Sequence, residues 1–144
     1  MRGFTPIELF LVILIVLFIF ALILPLSFDF YRSQQLQTHS QQILQTLRRA
    51  QLKAMAIESD SQFGVYITND GYALLKGNSY ATRDSQYDEI FDLPQVITVQ
   101  GSPKEIVFSK FEGKSSLIGD ITINSDGITR IININEIGRI NLEL

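Results

Sequence analysis

The longest apolar run of the chain lies near its start. Residues 9–24 carry no polar side chain, and residues 9–26 as an α-helix would be about 27 Å long, close to the hydrocarbon thickness of a bilayer. We therefore expect a membrane-spanning helix. A cleaved secretory signal is a competing interpretation, but it has a shorter apolar core and small residues at its cleavage site. A signal anchor with Arg2 on the cytoplasmic side is another.

A second pattern, with apolar residues every three or four positions, follows in residues 27–59, which contain no glycine or proline. That spacing is one face of an amphipathic helix. We expect the face to pack on the sheet that follows, and a coiled-coil seam is the alternative. The face consists of Leu36, Ser40, Ile43, Leu47, Ala50, Ala54 and Ile57.

Short apolar runs replace the helical period after this face. Residues 69–71 separate runs at 62–68 and 72–76 and predict a hairpin turn, because Asn, Asp and Gly tolerate positive φ. Residues 77–88 are polar and predict a loop. Further strands are predicted at 90–93, 96–99, 105–108, 120–124, 129–133 and 139–144. The C-terminal half is therefore predicted to be an antiparallel meander.

Composition narrows the functional classes. The formal net charge of −3 gives no general attraction to nucleic acid, so a nucleic-acid role needs a local basic patch. The chain has no cysteine, which excludes disulfides, a thiolate nucleophile and a cysteine-based zinc site. Its 144 residues leave room for one domain beyond the apolar run.

Glu8 lies at the edge of the apolar run, where a carboxylate needs an explanation. One explanation is a capping box, in which the Thr5 hydroxyl accepts from the Glu8 N–H and the Glu8 side chain reaches back to the Thr5 N–H. Pro6 then occupies the first helical position, where its missing N–H costs nothing. A capping box does not account for Gly3 and Phe4 just ahead of it.

Residues 3–9, which read GFTPIEL, resemble the class III signal of type IV pilins and type II secretion pseudopilins, whose usual form is GFTLIEL. The resemblance implies that a prepilin peptidase cleaves after Gly3 and methylates the new amino terminus at Phe4. It also implies that Glu8 pairs with the N-terminal amine of a neighbouring subunit during assembly. Pro6 replaces the usual leucine and is compatible with the first helical turn.

Pro25 is a further point of similarity, because pilins have a proline at the corresponding distance from the mature start. Proline inside a helix removes one hydrogen bond and crowds the carbonyl four residues back, here that of Ala21. A helix kink is therefore expected at Pro25. The alternative is that Pro25 ends the membrane helix.

The C-terminal part is similar to the H-type minor pseudopilins and the FimT-type minor pilins in residues 119–127, 129–135 and 138–140, and residues 47–54 loosely resemble their helix motif. This implies an α+β, pilin-like fold, in which a long N-terminal helix, membrane-spanning in its first half, packs on a C-terminal antiparallel β-sheet domain. The expected parts are a leader (1–3), a transmembrane and assembly helix (4–26), the amphipathic second half of the helix (27–59) and the β domain (60–144).

No catalytic constellation is visible, and the sequence predicts neither an enzyme nor a cofactor or metal site. His39, the only histidine, is expected at a solvated helix position. Asp84, Asp88, Glu89 and Asp92 lack the spacing of a calcium-binding loop, so a solvated loop is favoured over a calcium site.

Arg48, Arg49 and Lys53 form a basic group on the predicted helix, which we interpret as solvated or in contact with another subunit rather than with DNA phosphates. FimT-like pilins that bind DNA share a C-terminal G-R-x-R motif. The corresponding segment here keeps the first arginine, Arg139, and has asparagine in place of the second. Arg139 and Arg130 are the candidate DNA contacts.

The expected function is that of a structural, minor subunit of a type IV pilus or a type II secretion pseudopilus. The implied partners are other pilin subunits, prepilin peptidase, an inner-membrane assembly platform and membrane lipid. The precursor is expected to be a single-pass inner-membrane protein with its N-terminus in the cytoplasm and its globular domain outside, and later part of a periplasmic or cell-surface filament. Two alternatives stay open: a DNA-uptake or adhesive minor pilin at a filament tip, with residues 77–88 or the two arginines as the contact, and a membrane-anchored protein that is never processed.

Overall fold

The computed structural model describes residues 5–143, apart from the side chains of residues 23–29. The predicted α+β class with antiparallel sheets is confirmed. Helix α1 (Pro6–Met55) is followed, in the described part of the chain, by strands that form two four-stranded antiparallel sheets. The chain divides into two compact units, Met1–Gln34 and Gln35–Leu144.

The first unit contains the beginning of α1. The N–H groups of Glu8 and Leu9 donate to the main-chain carbonyl of Thr5, at 3.0 and 3.2 Å. The Glu8 N–H is therefore bonded to the Thr5 carbonyl and not to the hydroxyl that a capping box requires. Helix α1 continues past Pro25 to Met55, so the alternative in which Pro25 ends the helix is wrong. The side chain of Pro25, on which the predicted kink depends, lies outside the described residues. Among the residues that are described, no helix combines the length and the apolar character needed to cross a membrane.

The second unit contains the amphipathic part of α1. The face predicted from the spacing is buried from Leu36 to Ala54, whereas its last member, Ile57, is only half-buried. The helix ends at Met55, before the predicted end at residue 59. Ile57 has a φ of 55°, a left-handed conformation that cannot continue a right-handed helix. Because neither glycine nor proline marks this position, the sequence pattern does not indicate the earlier end.

The first sheet of this unit has the strand order β3-β2-β1-β5. Strands β1 (Phe63–Ile67) and β2 (Gly71–Lys76) form the predicted hairpin, with the turn at residues 68–71. Strand β3 (Glu89–Asp92) pairs with the outer edge of β2, and β5 (Lys104–Phe108) pairs with the opposite edge of β1. Strand β3 is therefore one edge of the sheet and β5 is the other.

The second sheet has the order β4-β6-β7-β8, from β4 (Thr98–Val99), β6 (Gly119–Ser125), β7 (Ile128–Ile134) and β8 (Ile140–Glu143). Each predicted apolar run contains a strand, but the single meander is wrong. Strand β5 lies between β4 and β6 in the sequence and joins the other sheet. Alternation of apolar and polar residues identifies a strand without identifying its partner.

One hydrophobic core joins α1 to both sheets. Inward-facing side chains alternate along the strands, as the two-residue period of a strand requires. From the first sheet they include Phe63, Val65, Ile67, Tyr72 and Leu74. From the second sheet they include Ile121, Ile123, Ile132, Ile134 and Ile140.

A glutamine of α1 ties the helix to two loops. The Gln51 Nε2 donates to the carbonyl of Gly113 at 2.8 Å and to the carbonyl of Gly138 at 2.7 Å. Gly113 lies in the β5–β6 connection and Gly138 in the β7–β8 turn. Both glycines have positive φ, 63° and 79°, and a side chain on Gly138 would overlap the Gly113 carbonyl oxygen. Only glycine therefore fits where the two loops meet over Gln51.

We expect Gly138→Ala to lower the free energy of unfolding by about 3 kcal/mol, because it adds a steric overlap to the strain of a positive φ. Gly127→Ala is the matched control: Gly127 has a φ of 85°, but no described atom lies within 4 Å of an added Cβ. The control should lose about 1 kcal/mol. Urea unfolding of the full chain in detergent micelles, followed by circular dichroism, measures both. Equal losses in the two variants would contradict the close approach at Gly138.

Candidate assembly segment and charged surfaces

The candidate assembly segment begins with residues that the sequence singled out. Gly3 and Phe4, the predicted processing residues, lie outside the described residues. Glu8 is exposed in the first turn of α1. A carboxylate in this position interacts favourably with the unpaired N–H groups and the positive end of the helix dipole.

Apolar side chains cover the helix after Glu8 on every side. Large apolar residues between Ile7 and Leu22 are exposed, from 43% at Val16 to 75% at Ile7. A helix on the surface of a water-soluble domain has one apolar stripe and one polar face, whereas this segment has no polar face. Exposed apolar surfaces of this extent are typical of sites that contact another protein or a membrane.

The basic group predicted on α1 does not act as one patch. Arg49 pairs with the carboxylate of Glu89 on β3. Lys53 pairs with Glu58 at 3.1 Å, and its Nζ lies 5.3 Å from the centroid of the Phe63 ring. These two cations are therefore balanced within the domain.

Arg48 faces a different surface, a groove that Arg139 also lines. Its guanidinium donates to the Ile140 carbonyl at 3.0 Å. Arg48 and Arg139 line the same open groove of about 390 Å³, together with Gln51, Leu52, Ile140 and Asn141. These lining residues include two guanidinium groups and no carboxylate, so the groove is a local site of positive charge.

Arg130, the other predicted DNA contact, lies elsewhere. Its Nε donates to the Gln37 Oε1 at 3.0 Å, and its Nη1 donates to the Thr129 carbonyl at 3.2 Å. The strand register pairs Ile134 with Ile140, so Arg139 lies near the end of β7 and Arg130 near its beginning. The structure thus brings Arg139 together with Arg48 and not with Arg130. Sequence spacing could not indicate this pairing, because Arg48 and Arg139 are on different elements.

His39 is not at a fully solvated position, contrary to the prediction. Its ring is half-buried, and its Nδ1 is buried without a hydrogen-bond partner among the described atoms. Burial lowers the pKa of the His39 imidazole, and the neighbouring Gln42 side chain opposes this shift. Burial therefore favours the neutral form of the imidazole over the charged form. The prediction of a solvated position was wrong because His39 lies next to the buried face of the helix, beside Ser40.

Three of the acidic residues weighed as a calcium site have separate hydrogen-bond or ion-pair partners. The Asp84 carboxylate accepts from the Gln86 N–H at 3.3 Å, and the Asp88 Oδ2 accepts from the Arg83 Nε at 2.6 Å. Glu89 is the partner of Arg49. In the described part of the chain, no three side chains of the types that bind metals are grouped closely enough to hold an ion.

Residues 77–88 contain regular structure, whereas the sequence predicts a solvated loop. They contain two short 3-10 turns, Tyr80–Thr82 and Ser85–Tyr87. The ring of Tyr80 stacks on that of Tyr66, with centroids 3.9 Å apart. The Tyr80 N–H donates to the Glu105 carboxylate at 2.9 Å. The segment therefore packs on the outer face of the first sheet, a feature that its polar composition does not indicate.

Comparison of the chain with known protein families, with characterised proteins and with solved structures finds no match. The candidate functional features are therefore taken from the structure of the chain alone. They are the Glu8 segment with its exposed apolar helix, and the groove lined by Arg48 and Arg139.

Proposed function

We propose that the chain is a structural, minor subunit of a type IV pilus or a type II secretion pseudopilus and not an enzyme. A prepilin peptidase cleaves it after Gly3 and methylates Phe4. The subunit is then incorporated through its N-terminal helix. The observation that carries this proposal is the exposure of apolar side chains on all sides of α1 between Ile7 and Leu22.

Water is an unfavourable environment for the side chains of such a helix. Burial of apolar surface contributes roughly 25 cal/mol per Å², so covering this helix is strongly favourable. Lipid supplies the cover for the precursor, and neighbouring helices supply it in a filament. The precursor is accordingly a single-pass inner-membrane protein with its N-terminus in the cytoplasm and its globular domain outside. An assembly platform then transfers it into a periplasmic or cell-surface filament.

Glu8 supports the same proposal through its charge. In a bundle of apolar helices a lone carboxylate is costly unless an opposite charge pairs with it. Cleavage after Gly3 creates such a charge, the amine of Phe4. The amine of one subunit and the Glu8 carboxylate of its neighbour then neutralise each other, which fixes the axial position of one subunit against the next.

We expect Glu8→Gln to leave membrane insertion and cleavage intact and to lower the amount of the subunit in sheared filaments at least about tenfold, because the amine loses its partner. Glu136→Gln makes the same change on the exposed β7–β8 turn and should assemble normally. Immunoblots of the membrane and filament fractions measure both variants. Normal incorporation of Glu8→Gln would show that the carboxylate is not the assembly contact.

A second candidate function, DNA binding by a subunit at a filament tip, is favoured by the groove of Arg48 and Arg139. Two guanidinium groups in an open groove with no lining carboxylate suit the phosphates of a nucleic acid. The overall charge of −3 opposes binding elsewhere on the chain. Contact with DNA would therefore be local and sensitive to salt.

If this second function holds, Arg139→Ala should weaken binding of a DNA duplex about tenfold at low salt and make the salt dependence shallower by about one unit of log–log slope. Arg130→Ala, at the other end of β7, is the matched control and should change binding little. Fluorescence anisotropy across a salt series measures both. No binding by the unchanged protein at low salt, or equal losses in the two variants, would exclude this function.

A further inference from the structure

Strand β3 has an edge that no other described strand covers. It is the outermost strand of the first sheet, and β2 pairs with its other edge. Ile90, in the middle of β3, has a side chain that is 73% exposed. Natural sheets commonly protect such an edge with lysine or proline, and β3 contains neither residue. An uncovered edge with an exposed isoleucine is a surface on which another chain can pair.

The hydrogen-bond pattern shows which main-chain groups of β3 face outward. The Leu93 N–H donates to the Asp70 carbonyl at 3.0 Å, so these two residues form a hydrogen-bonded pair. In an antiparallel ladder, hydrogen-bonded and non-hydrogen-bonded pairs alternate. Phe91 is therefore bonded to β2, whereas the N–H and C=O groups of Ile90 and Asp92 point away from β2.

The hairpin of β1 and β2 provides an independent check. The Thr68 N–H donates to the Gly71 carbonyl at 2.8 Å, so the main chain of Gly71 faces β1. Gly71 is the register partner of Asp92, and its main-chain groups are therefore turned away from β3. Among the described residues, none forms a hydrogen bond with the outward main-chain groups of Ile90 and Asp92.

A groove of about 520 Å³ lies beside this edge, between β3 and α1. Its lining residues on α1 span about 10 Å of helix, which matches the length of about three strand residues. Arg49 of this lining pairs with Glu89 of β3. The groove is therefore long enough for a short strand added to β3. The lining consists of Gln42, Gln45, Thr46 and Arg49 from α1, and of Tyr72, Ile90, Phe91 and Asp92 from the sheet.

An added strand would place one side chain in the groove. Residues directly opposite each other on two strands share a face of the sheet. The Phe91 ring packs against the core on the helix side and stacks on the Tyr72 ring, with centroids 5.0 Å apart. The residue opposite Phe91 would therefore point into the groove and contact this ring. The residues opposite Ile90 and Asp92 would lie on the other face, where both side chains are exposed.

The charge of the edge distinguishes between partners. Asp70 and Asp92 lie at the same end of β3, and neither forms an ion pair within the described part of the chain. Pairing of two copies through β3 would bring the carboxylates of both copies to one interface without a cation, which disfavours that arrangement. A strand with lysine or arginine opposite Asp92 gains an opposite-charge pair instead.

We propose that β3 binds an extended segment of another protein as an additional antiparallel strand. The segment has a basic residue opposite Asp92, an aromatic residue opposite Phe91 and an aliphatic residue opposite Ile90, in this order along its chain. Its main chain bonds to the outward groups of Ile90 and Asp92, and its aromatic ring lies in the groove. The surface belongs to the unit Gln35–Leu144, so the inference does not depend on processing or filament assembly.

The direct test is amide hydrogen exchange of the ¹⁵N-labelled full chain in detergent micelles, with the blocked peptide Ac-TKFVT-NH2 as the probe. Saturating peptide should slow exchange of the Ile90 and Asp92 amides at least about tenfold, because they gain acceptors. The Phe91 amide, already bonded to β2, should change little. No protection, or equal protection of all three amides, would overturn the proposal. Protection that rises with protein concentration in the absence of peptide would show that a second copy pairs here, and would also overturn it.

Two N-methylated peptides test the main-chain bonds. Methylation of the valine nitrogen of Ac-TKFVT-NH2 removes the N–H that donates to the Ile90 carbonyl, and should weaken binding about tenfold. Methylation of the phenylalanine nitrogen is the matched control, because that N–H points away from β3, and should leave the affinity nearly unchanged. Amide shift titrations measure both peptides. Equal losses of affinity would contradict strand addition.

A comparison of charges tests the role of Asp92. Asp92→Asn should weaken binding of Ac-TKFVT-NH2 about threefold, as expected for loss of an exposed ion pair, and should not weaken binding of Ac-TQFVT-NH2. Asp84→Asn, outside the groove, is the matched control and should bind the lysine peptide normally. Equal losses with the two peptides, or no loss with the lysine peptide, would overturn the basic residue assigned to the partner.

Discussion

The buried face of α1 between Leu36 and Ala54 is the surface on which both sheets of the second unit pack. Each sheet has an apolar inner face that would otherwise be exposed to water, and the helix covers both. Ala50 and Ala54 are small side chains that are fully buried near the C-terminal end of this face. There the Gln51 side chain replaces water as the donor for two loop carbonyls. The positions of the β5–β6 connection and the β7–β8 turn depend on that contact and on the glycine at 138.

Much of this architecture follows from local sequence signals. The period of the apolar residues predicts the buried face of the helix and the strands, and the residues at 69–71 predict the hairpin. The partner of β5 is not predictable in the same way, because pairing depends on which apolar faces meet in the core. The end of α1 at Met55 has no local signal either, since the left-handed residue there is Ile57 and not a glycine. The packing of residues 77–88 depends on Tyr80 meeting Tyr66 from another strand, a contact that spacing along the chain cannot reveal.

The two units have different chemical characters, and the proposed functions divide in the same way. The first unit offers exposed apolar side chains and the Glu8 carboxylate, which suit lipid and neighbouring helices. The second unit offers polar surfaces, with a positive groove at Arg48 and Arg139. The sequence singled out Glu8 and Arg139 individually. It could not predict the groove, because the groove is assembled from residues of more than one element.

The central claim is that the chain is processed as a prepilin. The most direct test is the intact mass of the protein isolated from membranes and filaments of the cells that produce it. Processing predicts a chain that lacks residues 1–3 and carries one additional methyl group on Phe4. An unmethylated chain that still begins at Met1 in both fractions would contradict the claim and favour a protein that is only anchored in the membrane.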